Sequence, residues 1–300
     1  MERCRTLAPI PTAVAHPCEE SALTAAVEAA QAGLIDPILV GPAARIEETA
    51  RSAKIDLRKI EIVDAAHSED SAKKAVDLVK QGRAEVLMKG SLHSDELLSA
   101  IVSRDGGLRT GRRFSHVFVM DVPAYHKVLI ITDAAINIAP TLEDKVDICQ
   151  NAIDLVRSLR QDKSEKPKVA ILAAVETVTI KMPATIDAAS LCKMAERGQI
   201  KGGILDGPLA FDNAISKQAA DIKGIKSAVA GDPDILLVPD LEAGNMLAKQ
   251  LSFLANADSA GLVLGAKVPV ILTSRSDSVR SRIASCAVAT LVAYARRSKL

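Results

Sequence analysis

The sequence predicts an α/β protein of two domains, each built on a mainly parallel sheet flanked by helices. Three observations carry that prediction. Short apolar, β-rich runs alternate with longer segments whose apolar residues recur at helical spacing. Almost half of the 300 residues are hydrophobic, enough to bury either one large core or two smaller ones. The alternation fades into a polar stretch from Arg160 to Lys168 and then resumes, as at a domain boundary.

Taken in order, Thr12 to Ala15, Ile38 to Val40 and Glu85 to Met88 are strand candidates in the first third. A helix from about Ser21 to Ala32 carries Leu23, Val27 and Ala30 on one face and stops at Gly33, and another spans about Ser71 to Gln81. Strands separated by such helices imply βαβ units. Beyond Val102, Arg104, Gly106, Gly107, Arg109, Gly111, Arg112 and Arg113 form a flexible basic loop. His116 to Met120 and Val128 to Thr132 then read as an antiparallel pair. Thr141 and Asp144 have capping-box spacing ahead of a helix beginning near Leu142. In the second half, strands are expected near Val169 to Ala173, Gly203 to Leu205, Ile235 to Val238, Gly261 to Leu264 and Val268 to Leu272. A long last helix from about Arg275 to Arg297 returns to the first half.

Charge and composition remove several classes of function. With 38 basic and 37 acidic side chains the net charge is +1, so no global field draws the chain to nucleic acid or an anionic membrane. No Trp, two Tyr and four Phe leave few platforms on which single-stranded nucleic acid would stack. The five cysteines are scattered, without a CxxC pair or a His at ligand spacing, which fits a reduced cytoplasm. The apolar stretch from Leu7 to Ala15 imitates a signal segment, but Pro9 and Pro11 interrupt it and it reads as a first strand. No apolar run reaches the roughly 20 residues that span a bilayer.

Ligands of open α/β sheets bind at the carboxyl ends of strands, where loops lead into helix N-termini whose unpaired N–H groups favour anions. Polar junctions of this kind are Lys89-Gly90-Ser91, Asp206-Gly207-Pro208, the run from Pro239 to Asn245 and the run from Thr273 to Ser278. The last is richest, with Ser274, Ser276 and Ser278 around Arg275, whose guanidinium suits phosphate. Ser274 and Asp277 equally have capping-box spacing and would serve the last helix without any chemistry. Glu242 and Asn245 carry the same ambiguity as first-turn residues, Lys89 reads alternatively as a lysine at a loop mouth, and Arg109, Arg112 and Arg113 as a solvated loop. The five histidines are isolated, with core or surface roles as the default, and Gly106-Gly107 matches neither a dinucleotide fingerprint nor a P-loop.

Read together and in order, these segments resemble the phosphotransacetylase and phosphotransbutyrylase family. They are Leu87 to Ser91, Gly107 to Arg113 with Ser115 to Phe118, Thr132 to Asn137, Asp206 to Ala210, Gly231 to Asn245 and Ser274 to Ser278. The resemblance covers essentially the whole chain and is most specific in Gly231 to Asn245. It implies an isocitrate/isopropylmalate dehydrogenase-like fold with the active site in the interdomain cleft, the first domain taking residues 1–138 and 278–300 and the second 139–277. It also implies a phosphate acyltransferase moving an acetyl, butyryl or related group between phosphate and coenzyme A, a homodimer, and no metal or nicotinamide. Ser274, Arg275 and Asp277 would be catalytic. Lys89, Ser91, Arg109, Arg113, Asn137, Asp206, Glu242, Asn245, Ser276 and Ser278 would bind substrate. The acetyl branch carries a proposed aspartate base seven residues after the serine, and here that position is Ser281, with Asp277 the nearest substitute. The Asp-Ser continuation looks more like the butyryl branch. Rival readings are a sensor of acyl-CoA or phosphate and a metal-dependent oxidative decarboxylase of the same fold type.

Overall fold

A computed structural model describes residues 2–103, 107–162, 164–274 and 277–297. The chain divides into two compact units, Met1–Arg112 with Ala260–Leu300, and Arg113–Ser259.

The first passage through unit 1 runs β1 (Ile10–Ala15), α1 (Glu20–Gln31), β2 (Ile35–Gly41), α2 (Ala43–Ala53), β3 (Glu61–Asp64), α3 (Ser68–Lys80), β4 (Val86–Lys89) and α4 (Ser94–Val102). Unit 2 contains β5 (Ser115–Asp121), β6 (Leu129–Thr132), α5 (Leu142–Leu159), β7 (Lys168–Leu172), α6 (Pro183–Glu196), β8 (Ile204–Leu209), α7 (Phe211–Ile215), α8 (Lys217–Ile222), β9 (Ile235–Leu237) and α9 (Leu241–Leu254). The chain then returns through β10 (Asp258–Leu264), β11 (Val270–Ile271) and α10 (Val279–Arg297).

In unit 1 the strand order is β3-β2-β1-β4-β11-β10, parallel except for the β10–β11 pair. Strands β1, β2 and β4 are apolar nearly throughout because helices cover both faces, so Ala13, Val14, Leu39, Leu87 and Met88 are fully buried. In unit 2 the order is β5-β6-β9-β7-β8, with β5 and β6 antiparallel as their spacing predicts and the remainder parallel. Its core gathers Met120, Ile131, Leu172, Leu209, Leu236 and Val238. The Thr141–Asp144 capping box forms in both directions and starts α5.

The unit edges fall at 112/113 and 259/260, whereas the sequence reading drew them at 138/139 and 277/278. Pairing explains both differences. The β5–β6 hairpin joins unit 2 because β6 pairs with β9, and β11 joins unit 1 because it pairs with β4. Among the described residues no helix is long and apolar enough to cross a membrane.

Candidate active site

The parallel strands β1, β2, β4 and β11 of unit 1 bring their carboxyl ends to one sheet edge, and the local sequence there is built for close approach. Gly90 donates its N–H to Ala15 O at 2.8 Å, and a Cβ on residue 90 would lie 2.4 Å from that oxygen and 2.6 Å from His16 O. Only glycine fits. Ser91 then bonds His16 O through both its N–H (2.9 Å) and its Oγ (2.7 Å), while Ser91 Oγ accepts from Cys18 N–H at 3.1 Å. Lys89, immediately before, is buried with only 3% of its surface exposed. The Lys89-Gly90-Ser91 junction is thereby laced to the residues that follow β1.

The segment after β11 lies at the same edge, since Ile271 pairs with Met88 in register. Ser274 N–H donates to Asp277 Oδ2 at 2.7 Å and Asp277 N–H returns to Ser274 O at 3.2 Å, closing a turn. The helix itself begins four residues later than that spacing suggested. Ser278 Oγ accepts from Ser281 N–H at 3.1 Å, so Ser278 is the cap of α10 and Ser281 lies in its first turn. Arg275 and Ser276 lie outside the described residues.

Beneath this turn sits Arg282, 2% exposed, donating through Nη1 to Thr273 Oγ1 (3.1 Å) and through Nη2 to Ser274 O (3.0 Å). Its Nε is buried without a hydrogen-bond partner. Burial pulls the Arg282 pKa down, and the nearby charges of Asp277, Glu19 and Cys286 pull it back up. Sequence reasoning assigned no part to Arg282. The signal was a charged residue on the same helical stripe as Cys286, Ala289 and Ala293, all buried.

The second cluster lies in unit 2, after β6. Asp133 is 2% exposed, and its carboxylate accepts from the N–H groups of Ala135 (2.9 Å), Ile136 (3.1 Å) and Asn137 (3.2 Å), and from Asn137 Nδ2. Asn137 also donates to Phe114 O at 2.8 Å and accepts from Arg113 Nε at 2.6 Å. Arg113 in turn pairs with Asp144 at 2.9 Å. Asn245 on α9 donates to Ala134 O at 3.1 Å, and the close approach of α9 depends on Gly244, where a Cβ would lie 2.7 Å from Asp133 O. Glu242 is exposed in the first turn of α9, whose cap is Asp240 Oδ1 accepting from Ala243 N–H at 2.9 Å.

Of the residues singled out in the sequence, unit 1 therefore gathers Lys89, Ser91, Ser274, Asp277 and Ser278, and unit 2 gathers Arg113, Asn137 and Asn245. Arg109 belongs to neither group: it forms a β-bridge with Ala266, and Thr110 Oγ1 bonds Gly265 O, so this part of the basic loop is tied to the β10–β11 turn. Asp206 is not in a junction after a strand. Strand β8 continues through it to Leu209, where Asp206 pairs with Ala170 and caps Gly207 N–H at 2.9 Å. No cysteine is poised as a nucleophile: burial pushes the thiols of Cys192 and Cys286 up to about 12, and raises that of Cys18.

The family model described as "Phosphate acetyl/butaryl transferase" matches residues 10–76 and 67–290. A phosphate acetyltransferase of Rhizobium meliloti is 63% identical over 98% of this chain and 92% of its own length. A phosphate butyryltransferase of Clostridium beijerinckii is 42% identical over 94% and 92%. Among solved structures, a branched-chain phosphotransacylase from Enterococcus faecalis V583 superposes with a TM-score of 0.82 at 29% identity, covering 94% of this chain and 99% of that one. With both units spanned by the family model and by each of these relatives, the chain belongs to the phosphate acetyl/butyryl transferase family.

Proposed function

We infer that the protein catalyses acyl-CoA + phosphate = acyl phosphate + CoA with a short acyl group. The observation that carries this reading is the convergence of Lys89, Ser91 and the Ser274 turn on one sheet edge in a chain of this family. Coenzyme A ends in a thiol of reference pKa about 8.5, so only a few per cent is thiolate at neutral pH. Attack of the thiolate on the acyl carbonyl puts charge on that oxygen and then on the departing phosphate. Arg275, with backbone N–H groups of the Ser274–Ser278 segment, supplies the donors, each worth about 2.7 to 4 kcal/mol when well placed. Ser276 and Ser278 add hydroxyls to the same segment. Lys89 holds phosphate oxygens beside Ser91, whose two donors go to His16 O and fix the loop, and Arg109, Arg113, Asn137, Asp206, Glu242 and Asn245 contact coenzyme A or set the loops that do.

An ordinary aspartate as proton acceptor faces a gap of about 4.6 pKa units to a thiol, roughly 6 kcal/mol. The Asp277 Oδ2 is already engaged by Ser274 N–H, which favours a role in shaping the turn. The Asp277-Ser278 continuation leans to a longer acyl group, but the phosphate acetyltransferase relative at 63% against the butyryltransferase at 42% makes acetyl phosphate the first substrate to test. Coenzyme A is substrate and no further cofactor is proposed. A cytoplasmic homodimer is supported by the balanced charge, by five free thiols, and by exposed apolar side chains of unit 2 such as Ile138, Ile180, Phe253 and Leu254. The sensor and decarboxylase readings gain nothing from the relatives.

A panel of acetyl, propionyl, butyryl and branched acyl phosphates with coenzyme A tests the proposal. Thioester should form with kcat/KM highest for acetyl phosphate. Binding of coenzyme A without thioester from any member would instead establish a sensor.

A further inference from the structure

On the acyl-transfer reading the thiol loses a proton, and Asp277 is held by the turn it closes, so that proton needs another acceptor. Four of the five histidines are engaged elsewhere. His67 caps α3, its Nδ1 accepting from Asp70 N–H at 3.3 Å, and His93 stands at the cap of α4. His116 is buried edge-on against Phe118, and His126 pairs with Asp232 at 2.9 Å in unit 2.

His16 differs from them. It follows β1 at the same sheet edge as Lys89 and Ser274, in a left-handed backbone conformation (φ 56°) that a non-glycine residue rarely adopts. That conformation is fixed on both sides: His16 N–H donates to Val40 O at 2.7 Å, and His16 O receives the three bonds from Cys18 and Ser91. His16 is 7% exposed, and its Nδ1 lies 3.1 Å from Ser71 Oγ. Ser71 has one hydroxyl proton and donates it to His67 O at 2.7 Å. At the remaining contact the imidazole must therefore be the donor, which puts the proton on Nδ1 and the lone pair on Nε2. Among the described residues nothing bonds Nε2, and it is not one of the chain's solvent-sealed unpartnered atoms. Two strand spacings, about 10 Å, separate the end of β1 from that of β11, with β4 and its Lys89-Gly90-Ser91 junction between them.

We propose that Nε2 of His16 accepts the proton of the coenzyme A thiol. The S–H proton passes to Nε2, the thiolate forms its bond to the acyl carbon, the bond from that carbon to the phosphate oxygen breaks, and the imidazolium returns its proton to the departing phosphate. The charged groups around the ring are Arg45 on α2, His67 at the start of α3, Glu96 on α4 and Glu19 at the start of α1. Burial, then Arg45, lowers the His16 pKa, while Glu96 and Glu19 oppose them. The net effect keeps the ring neutral at pH 7, ready to accept a proton. From ordinary values the gap to the thiol is about 2 units for an imidazole against about 4.6 for an aspartate, and the lowered pKa of His16 widens its own gap.

The test is the pH profile of kcat/KM for thioester formation from acetyl phosphate, in the wild-type chain and in His16→Asn. Asparagine tolerates the left-handed conformation and keeps a donor toward Ser71 while removing Nε2. The expected result is a wild-type plateau that begins below about pH 6.5, and a kcat lower by about 10²- to 10⁴-fold in the variant, partly restored by added imidazole. The variant's rate should then rise with pH up to the thiol's own ionisation. Wild-type kcat in His16→Asn, or a wild-type profile that already climbs to pH 8.5 as free thiolate would, overturns the assignment. The wild-type profile decides the matter if the variant does not fold. Absence of any wild-type thioester would sink the acyltransferase reading itself, a separate outcome.

Discussion

The loop after β6 and the turn after β11 both follow buried parallel strands, yet they use their polar groups in opposite ways. In the Asp133–Asn137 loop nearly every donor finds an acceptor within the loop or beside it: one carboxylate takes three backbone N–H groups and a side-chain amide, and that amide also holds Phe114 and Arg113. Beneath the Ser274–Ser278 turn the buried Arg282 guanidinium reaches, among the described residues, a hydroxyl and a carbonyl, with its Nε left over. A loop satisfied in this way is held rigid. The other retains positive charge in a place where water is scarce, which strengthens any attraction for an anion. Under the proposed function the chemistry falls to the unit 1 edge.

The largest effect that would break this contrast is Arg275→Ala, expected to lower kcat by about 10²- to 10³-fold with little change in melting temperature. Near-normal turnover would remove the unit 1 turn from catalysis. Asp133→Asn should do the reverse. Placing an amide against three N–H donors should destabilise the fold by about 1 to 3 kcal/mol in urea unfolding while kcat stays within a few-fold of wild type. A kcat loss as large as that of Arg275→Ala, with stability retained, would make the unit 2 loop chemical. Asp277→Asn sharpens the picture least: an amide oxygen accepts the Ser274 N–H less strongly than the carboxylate does, which should reduce stability by at most about 1 kcal/mol and leave most of the turnover. A severe fall in kcat at unchanged stability would restore Asp277 as the base.

Much of this was readable in the sequence where burial and periodicity act together. The apolar runs of β1, β2 and β4 and the stripe of α1 declare themselves because both faces of the sheet are covered. Strand β3 did not, because Glu61 and Asp64 are exposed at the sheet edge and its pattern is polar at both ends. The start of α10 was misplaced because Ser274–Asp277 and Ser278–Ser281 offer the same three-residue spacing, and only packing decides which serine begins the helix. Asp206 was read as a junction because Gly207-Pro208 usually ends a strand, whereas here a Cβ at Gly207 would lie 2.8 Å from Ile171 O, and the strand continues against β7. The site residues that carry spare capacity, Arg282 and His16, were hidden for one reason: their significance lies in partners 9 and 55 positions away, Thr273 and Ser71, which no local motif joins.

The central claim is acyl transfer between phosphate and coenzyme A, and phosphorolysis tests it most directly. Release of coenzyme A thiol from acetyl-CoA should require inorganic phosphate and match the acyl phosphate formed mole for mole, with kcat/KM inside the enzymatic range of about 10⁴ to 10⁸ M⁻¹s⁻¹. Thiol release that proceeds equally well without phosphate, or none at all from acetyl-, butyryl- and branched acyl-CoA, would contradict it.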